Sequence, residues 1–198
     1  MQATTFSPVA EDEHLSRGIQ ASQAGDSVTA ISLFKKAVQS SSSPGIASFL
    51  LGSEWAAMGE MQKAEAALAD AVLQAPGLPI AQYQLGLLQF SSGKVSQAFL
   101  TWESLLQLPP EDPFPHFVRG HAALAQDHFE EAVVQFERGI AVNTSNEPLN
   151  QDIRKIVHRI QELGSAAPPQ SSDEATPEDE SAQTHVFLSS YQQQGKLH

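Results

Sequence analysis

Glycine recurs along this 198-residue chain at a fixed interval of 34 residues. The members of this series are Gly18, Gly52, Gly86 and Gly120. Twelve residues after each glycine an alanine repeats the spacing: Ala30, Ala64, Ala98 and Ala132. Large apolar residues repeat it next: Phe34, Leu68, Trp102 and Phe136. Self-similarity at a fixed period of this length is the signature of a stacked-repeat architecture.

Two more series complete the unit. One is small apart from a single leucine: Ala37, Ala71, Leu105 and Gly139. The other consists of turn formers: Gly25, Gly59, Gly93 and Asp127. The pattern therefore predicts a first helix with glycine at its middle, a turn, and a second helix whose alanine, bulky residue and small residue share one face. Pro76 and Pro110 are expected to end two of the second helices.

With units at 11–44, 45–78, 79–112 and 113–146, the chain resembles the tetratricopeptide-repeat (TPR) family, which has small residues near positions 8, 20 and 27 and a large one near 24. Leu51-Gly52 and Leu85-Gly86 match the family's Leu-Gly pair, and Arg17-Gly18 and Arg119-Gly120 match a common variant. The resemblance implies an all-α, TPR-type α-solenoid of antiparallel helix hairpins that forms a right-handed superhelix. The alternative, four unrelated hairpins in a compact bundle, does not explain the regular register.

Both ends of the array are predicted to differ from it. Residues 1–10 are expected to be an N-terminal extension, and residues 147–164 a capping helix that starts at Asn146-Glu147-Pro148 and ends at Gly164. Its apolar stripe consists of Leu149, Ile153, Ile156, Ile160 and Leu163. The stripe is expected to seal the fourth unit, and a short coiled-coil seam is the alternative.

Residues 165–198 are rich in Pro, Ser and acidic residues, which predicts a flexible acidic tail. It contains a short apolar segment, 184–191, with a possible docking motif of Val186, Phe187, Leu188 and Tyr191. This segment is either a floppy terminus or a motif that docks on a partner or in the chain's own groove.

Composition argues against several functions. The net charge is −12 without a basic stripe, so nucleic acid and anionic membrane surfaces are unlikely partners. No apolar run is long enough to insert into a membrane, and the absence of Cys suits a reducing cytoplasm. We therefore expect a cytoplasmic location.

Residues that could carry catalysis are not arranged for it. His116, His121 and His128 are the one local histidine group, and the first two point about 140° apart on one helix. Pairs of carboxylates such as Glu130-Glu131 fall at helix starts, where they complement the helix dipole. The expectation is that the chain is not an enzyme and takes no cofactor or metal.

The resemblance places the binding site in a concave groove lined by positions 2, 5, 9 and 12 of each first helix. The candidate groove residues are Leu15, Ile19, Ile46, Phe49, Ile80, Tyr83, Leu87, Phe90, Phe114, Phe117, His121 and Leu124. Some could instead belong to the core. Because Leu15 and Ile19 stand where the clamp of chaperone-tail-binding TPRs begins, a C-terminal carboxylate is not the expected ligand. An apolar trough suits an amphipathic helix or an extended apolar segment.

These features predict a non-catalytic scaffold or adaptor that binds a protein segment, and we expect it to act in a bacterial cytoplasm in the assembly of a larger machine. A secretion-type chaperone that shields a hydrophobic client and a regulatory subunit of an enzyme are the alternatives. A monomer is expected rather than a dimer.

Overall fold

A computed structural model describes residues 13–166, and within this range the chain is helical without strands. The expected N-terminal extension, most of the acidic tail, and the motif Val186, Phe187, Leu188 and Tyr191 lie outside the described residues. The α-helices are α1 (Glu13–Gln23), α2 (Ser27–Ser40), α3 (Pro44–Ala57), α4 (Met61–Gln74), α5 (Pro79–Ser91), α6 (Val95–Trp102), α7 (Pro113–Leu124), α8 (Phe129–Val142) and α9 (Glu147–Ala166). A 3₁₀ turn, η1 (Glu103–Gln107), follows α6.

The described chain divides into two compact units, residues 13–89 and residues 90–166. In the first unit α1 packs on α2, α2 on α3, and α3 on α4. A side-chain carbon added to Gly18 would lie 2.6 Å from the Phe34 ring, and one added to Gly52 would lie 2.7 Å from Leu68. The glycine series therefore lets the bulky residue of each second helix press against its own first helix.

In the second unit a glycine of the first helix again packs against a bulky residue of the second helix, and the core is more aromatic. A Cβ on Gly120 would lie 2.5 Å from the Phe136 ring, and Trp102 and Phe136 are fully buried. α7 packs on α8 and on η1, and α8 packs on α9. The 34-residue spacing thus produces the same glycine-to-ring contact in both units.

The turn-former series has a conformational cause. Gly25, Gly59 and Gly93 have φ values of 77°, 77° and 79° between the two helices of a hairpin, and Asp127 takes the same left-handed region at 57°. Glycine reaches this region without steric cost, and Asp is among the few other residues that tolerate it. The position of the turn in all four units could therefore be predicted from the sequence.

The second helix of the third unit departs from the expected pattern. α6 ends at Trp102 and continues as the 3₁₀ turn η1. Pro109 and Pro110 cannot donate helical hydrogen bonds and hold the preceding Leu108 extended. Leu105, which replaces the small residue of the other units, remains buried at 2% exposure because the backbone tightens around it.

The final helix begins where it was predicted to begin and ends later. The Asn146 Oδ1 accepts a hydrogen bond from the Leu149 N–H at 3.1 Å, which caps the first turn of α9. Leu149, Ile153, Ile156 and Ile160 are buried, and α9 packs on α8. This burial favours the sealing role over a free coiled-coil seam. The prediction that Gly164 ends the helix is wrong, since α9 continues to Ala166.

Candidate functional site

The structure separates the twelve predicted groove residues into two groups. Seven keep partly exposed side chains: Leu15, Ile19, Ile46, Phe49, Ile80, Leu87 and Phe114. Five are buried in the core: Tyr83, Phe90, Phe117, His121 and Leu124. The expectation that these five line an open surface is wrong.

Close helix packing explains the burial of Phe117. A Cβ added to Gly139 of α8 would lie 2.4 Å from the Phe117 ring, so the missing side chain lets the ring sit against the second helix of its own hairpin. Phe117 is 0% exposed as a result. Ala71 holds the equivalent place opposite Phe49, which stays partly exposed. The size of the residue at this place does not decide burial by itself, since Tyr83 is also 0% exposed although Leu105 stands where the fourth unit has Gly139.

His121 lies in an aromatic cluster of the second unit. Its ring centroid is 5.1 Å from that of Trp102, 5.2 Å from that of Phe90 and 5.0 Å from that of Phe136. The stacking on Trp102 is nearly parallel, with an interplanar angle of 20°. Burial lowers the pKa of His121 from 6.5 to about 3, because the cluster cannot solvate an imidazolium. His121 is thus a neutral part of the core.

An open apolar surface remains on the first helices of residues 13–89. We call it the first-helix face and define it by Leu15, Ile19, Ile46, Phe49, Ile80 and Leu87. Spacings of four, three and seven residues put each pair on one side of its helix. Ile46 is the most exposed of the six side chains, at 41%.

Side-chain hydrogen bonds join the three helices that carry this face. Ser22, one turn beyond Ile19 on α1, donates to the Glu54 carboxylate on α3. Ser53, one turn beyond Phe49 on α3, lies with its Oγ 3.0 Å from Gln84 Oε1 on α5. These links place α1 beside α3 and α3 beside α5, so the partly exposed apolar pairs lie on neighbouring helices. The sequence reasoning missed these polar links because it looked for apolar groove positions.

Charge is sparse on these helices. α1 carries Glu13 and Arg17, which pair with each other at 3.3 Å on an exposed side, and α5 carries no charged residue. Glu54 is the single charged residue of α3. Among α1, α3 and α5, it is therefore the one charged group that lies within the hydrogen-bonded links of the first-helix face.

Two lysines of the same unit are directed to the residue after Glu54. The Nζ atoms of Lys35 and Lys63 lie 5.0 and 4.6 Å from the centre of the Trp55 ring. Lys63 also pairs with Glu60 at 3.0 Å. Cation–π contacts of this kind hold the ring and the lysine stems against the second helices.

The other histidines of the local group serve structural contacts. His116 Nε2 lies 2.9 Å from the carbonyl oxygen of Pro110, and His128 Nδ1 lies 3.8 Å from the Glu131 carboxylate. Within residues 13–166, no three His, Asp or Glu side chains come together as a metal site would require. In the same range, no helix has the length and hydropathy of a membrane span.

Several solved structures have a fold similar to that of this chain. The crystal structure of MamA matches with a TM-score of 0.55 and 25% identity, over 70% of this chain and 81% of that chain. MamA residues 41 to the end from Desulfovibrio magneticus RS-1 match with a TM-score of 0.55 and 13% identity, over 82% and 97%. The TPR domain of Sgt2 from Aspergillus fumigatus matches more distantly, with a TM-score of 0.43 and 18% identity, over 87% and 93%.

No protein-family model and no curated protein matches the sequence.

Proposed function

We propose that the chain binds an apolar or amphipathic segment of a partner protein on its first-helix face. The chain is built of TPR-type helix hairpins. This fold in general supports a role as a protein–protein interaction scaffold. The observation that carries the proposal is the set of apolar side chains that stay partly exposed on α1, α3 and α5, three helices linked by Ser22–Glu54 and Ser53–Gln84. A linked surface of this kind is preorganised, which lowers the ordering cost of binding.

The size of the face fits a moderate affinity. Complete burial of an apolar side chain of this class stabilises by about 1.5–3 kcal/mol, and these side chains are already partly buried. Loss of translational and rotational freedom and ordering of the partner offset much of the gain. We expect a dissociation constant on the order of micromolar.

The proposal extends to the setting in which the chain works. We propose a non-catalytic adaptor for the assembly of a larger machine, monomeric and in a bacterial cytoplasm. The net charge of −12 supports a protein partner over nucleic acid, since like charges repel.

A pair of matched surface variants tests the face. Ile46→Glu places a charge on the first-helix face at a residue that is 41% exposed, and Leu73→Glu places one on α4 of the same unit at a residue that is 80% exposed. We expect affinity purification from the native cell to lose its principal partner with Ile46→Glu and to retain it with Leu73→Glu. Far-ultraviolet circular dichroism checks that both variants stay helical.

Retention of the partner by a folded Ile46→Glu variant, or equal loss with both variants, would contradict the proposal. The class of protein recovered then separates the possible roles. Components of one assembly indicate an adaptor, an apolar secreted client indicates a secretion-type chaperone, and an enzyme indicates a regulatory subunit.

A further inference from the structure

Resting on the proposed function, we infer that the partner segment carries a cationic side chain, Lys or Arg, among its apolar residues, and that Glu54 is the group that selects it. Glu54 is partly buried on α3, the middle one of the three linked helices, and accepts a hydrogen bond from Ser22 of α1. Its position makes it a specificity-determining residue for the occupant.

The first step of the argument is the spare capacity of the carboxylate. An ionised carboxylate has two oxygens with about four acceptor sites, and the Ser22 hydroxyl supplies one donor. The hydroxyl fixes the carboxylate between α1 and α3 without neutralising its charge. A partner donor can therefore join the same group.

The second step is the cost of covering Glu54. A segment that packs across α1 and α3, the two helices that the Ser22–Glu54 hydrogen bond joins, removes water from the carboxylate. Burial of a charge is costly unless a partner charge accompanies it. A purely apolar segment leaves this cost uncompensated, and an acidic segment adds repulsion from the Glu54 carboxylate. A cation that pairs with Glu54 offsets the loss of water, so the face discriminates between these three classes of segment.

The third step concerns the positive charges that the unit itself supplies. Arg17 pairs with Glu13, and Lys35 and Lys63 lie over Trp55, with Lys63 also bonded to Glu60. The fourth cation of residues 13–89, Lys36, is exposed on α2. The interaction that the structure shows for the Glu54 side chain is with the neutral Ser22 hydroxyl. The compensating charge is thus assigned to the partner.

A random-peptide display library panned on the full chain provides the probe. We expect the selected peptides to combine apolar residues at helical or extended spacing with a Lys or Arg at one fixed position. For a selected peptide, replacement of that Lys by norleucine should weaken binding about five- to twentyfold, which is the effect of one partly buried, charge-assisted hydrogen bond.

The variant Glu54→Gln isolates the charge, because glutamine still accepts the Ser22 hydrogen bond. We expect it to bind the lysine peptide about five- to twentyfold more weakly and to bind the norleucine peptide with unchanged or higher affinity. The matched control is Asp70→Asn, which removes an exposed carboxylate from α4 of the same unit and should alter neither affinity.

The outcomes separate this inference from the proposed function. If selected peptides lose binding with Ile46→Glu but Glu54→Gln leaves the lysine preference intact, the face binds segments and the role of Glu54 is wrong. If selected peptides contain acidic or purely apolar sequences, the inference is also wrong. If panning yields no peptide whose binding depends on Ile46, the proposed function fails and the inference fails with it.

Discussion

At the scale of single residues, His121 shows how a polar side chain becomes part of a hydrophobic core. Its imidazole replaces an apolar residue among Phe90, Trp102 and Phe136, and ring stacking supplies contacts that an aliphatic side chain would lack. Burial keeps the ring neutral in the folded state. The consequence is a dependence of stability on pH.

The sign of this dependence follows from the lowered pKa. Below pH 6.5 the unfolded chain takes up a proton on His121 that the folded chain does not take up until about pH 3, so the free energy of unfolding falls as the pH falls through this window. The effect is about 1.4 kcal/mol for each pH unit, or about 2 kcal/mol between pH 7 and pH 5. Above pH 6.5 the contribution is constant.

Urea unfolding at pH 7 and pH 5 measures the effect. We expect His121→Phe to lose about 2 kcal/mol less stability than the natural chain between these two pH values. The exposed His128 provides the control, since His128→Gln should leave the difference nearly unchanged. Equal acid sensitivity in the natural chain and in His121→Phe would show that His121 is protonated in the folded state.

At the scale of helices, a reciprocal amide pair joins α8 to α9. The Asn150 Nδ2 donates to the Asn143 carbonyl oxygen at 2.8 Å, and the Asn143 Nδ2 donates to Asn150 Oδ1 at 2.9 Å. Both side chains are buried. Outside this pair, Glu147 accepts from Arg154 at 2.7 Å, and this hydrogen bond lowers the pKa of the Glu147 carboxyl. The turn before α9 is therefore fixed by polar contacts as well as by the apolar stripe.

Removal of one amide should leave a buried partner unsatisfied. We expect Asn150→Ala to lower the free energy of unfolding by about 1–3 kcal/mol, since the Asn143 carbonyl oxygen loses its donor. The Asn143 Nδ2 keeps the Asn146 carbonyl oxygen as an acceptor at 3.2 Å. Gln161→Ala, an exposed change on the same helix, should stay within about 0.5 kcal/mol. Thermal unfolding of the variants followed by circular dichroism compares them.

The double variant Asn143→Ala/Asn150→Ala tests whether the two amides act as a pair. We expect its loss of stability to be smaller than the sum of the two single losses, because the second change removes a group that the first has already left unsatisfied. Strict additivity would contradict the pair.

The helices were predictable from the sequence to the extent that backbone geometry dictates residue type. Gly25, Gly59, Gly93 and Asp127 mark a left-handed turn that few residues adopt, so their spacing locates the four hairpins. Gly164 misled the prediction, because glycine tolerates a helix interior as well as ending one. The 3₁₀ turn at Glu103–Gln107 was not predicted, because Leu105 holds the repeat position that is small in the other units, and the apolar pattern does not distinguish an α-helix from a 3₁₀ turn.

At the scale of the molecule, the two units differ in whether the side chains at the same repeat positions are exposed or buried. In residues 13–89 most of the predicted inner positions stay partly exposed, and polar links join the helices that carry them. In residues 90–166 most are buried in the core, and α9 packs on α8. The proposed binding face therefore lies in the first unit.

The candidate site was predictable in part for a related reason. The register implied by the TPR resemblance gave the candidate positions, among them Leu15, Ile19 and Ile46. The register cannot tell whether a position is open, because Phe49 stays partly exposed while Tyr83 and Phe117 at equivalent positions are fully buried. The link from Ser22 to Glu54 joins different repeats and has no signature within either.

Site-specific photo-crosslinking tests the central claim most directly, since it reports contact in the native cell without weakening the interaction. A photoreactive phenylalanine analogue placed at position 46 lies on the first-helix face, and the same analogue at position 73 lies on α4 of the same unit. We predict a discrete protein adduct from position 46 and none from position 73, with the crosslinked segment of the partner rich in apolar residues. Adducts from position 73 alone, or no adduct from position 46 in a cell where the chain is held in a complex, would contradict the account.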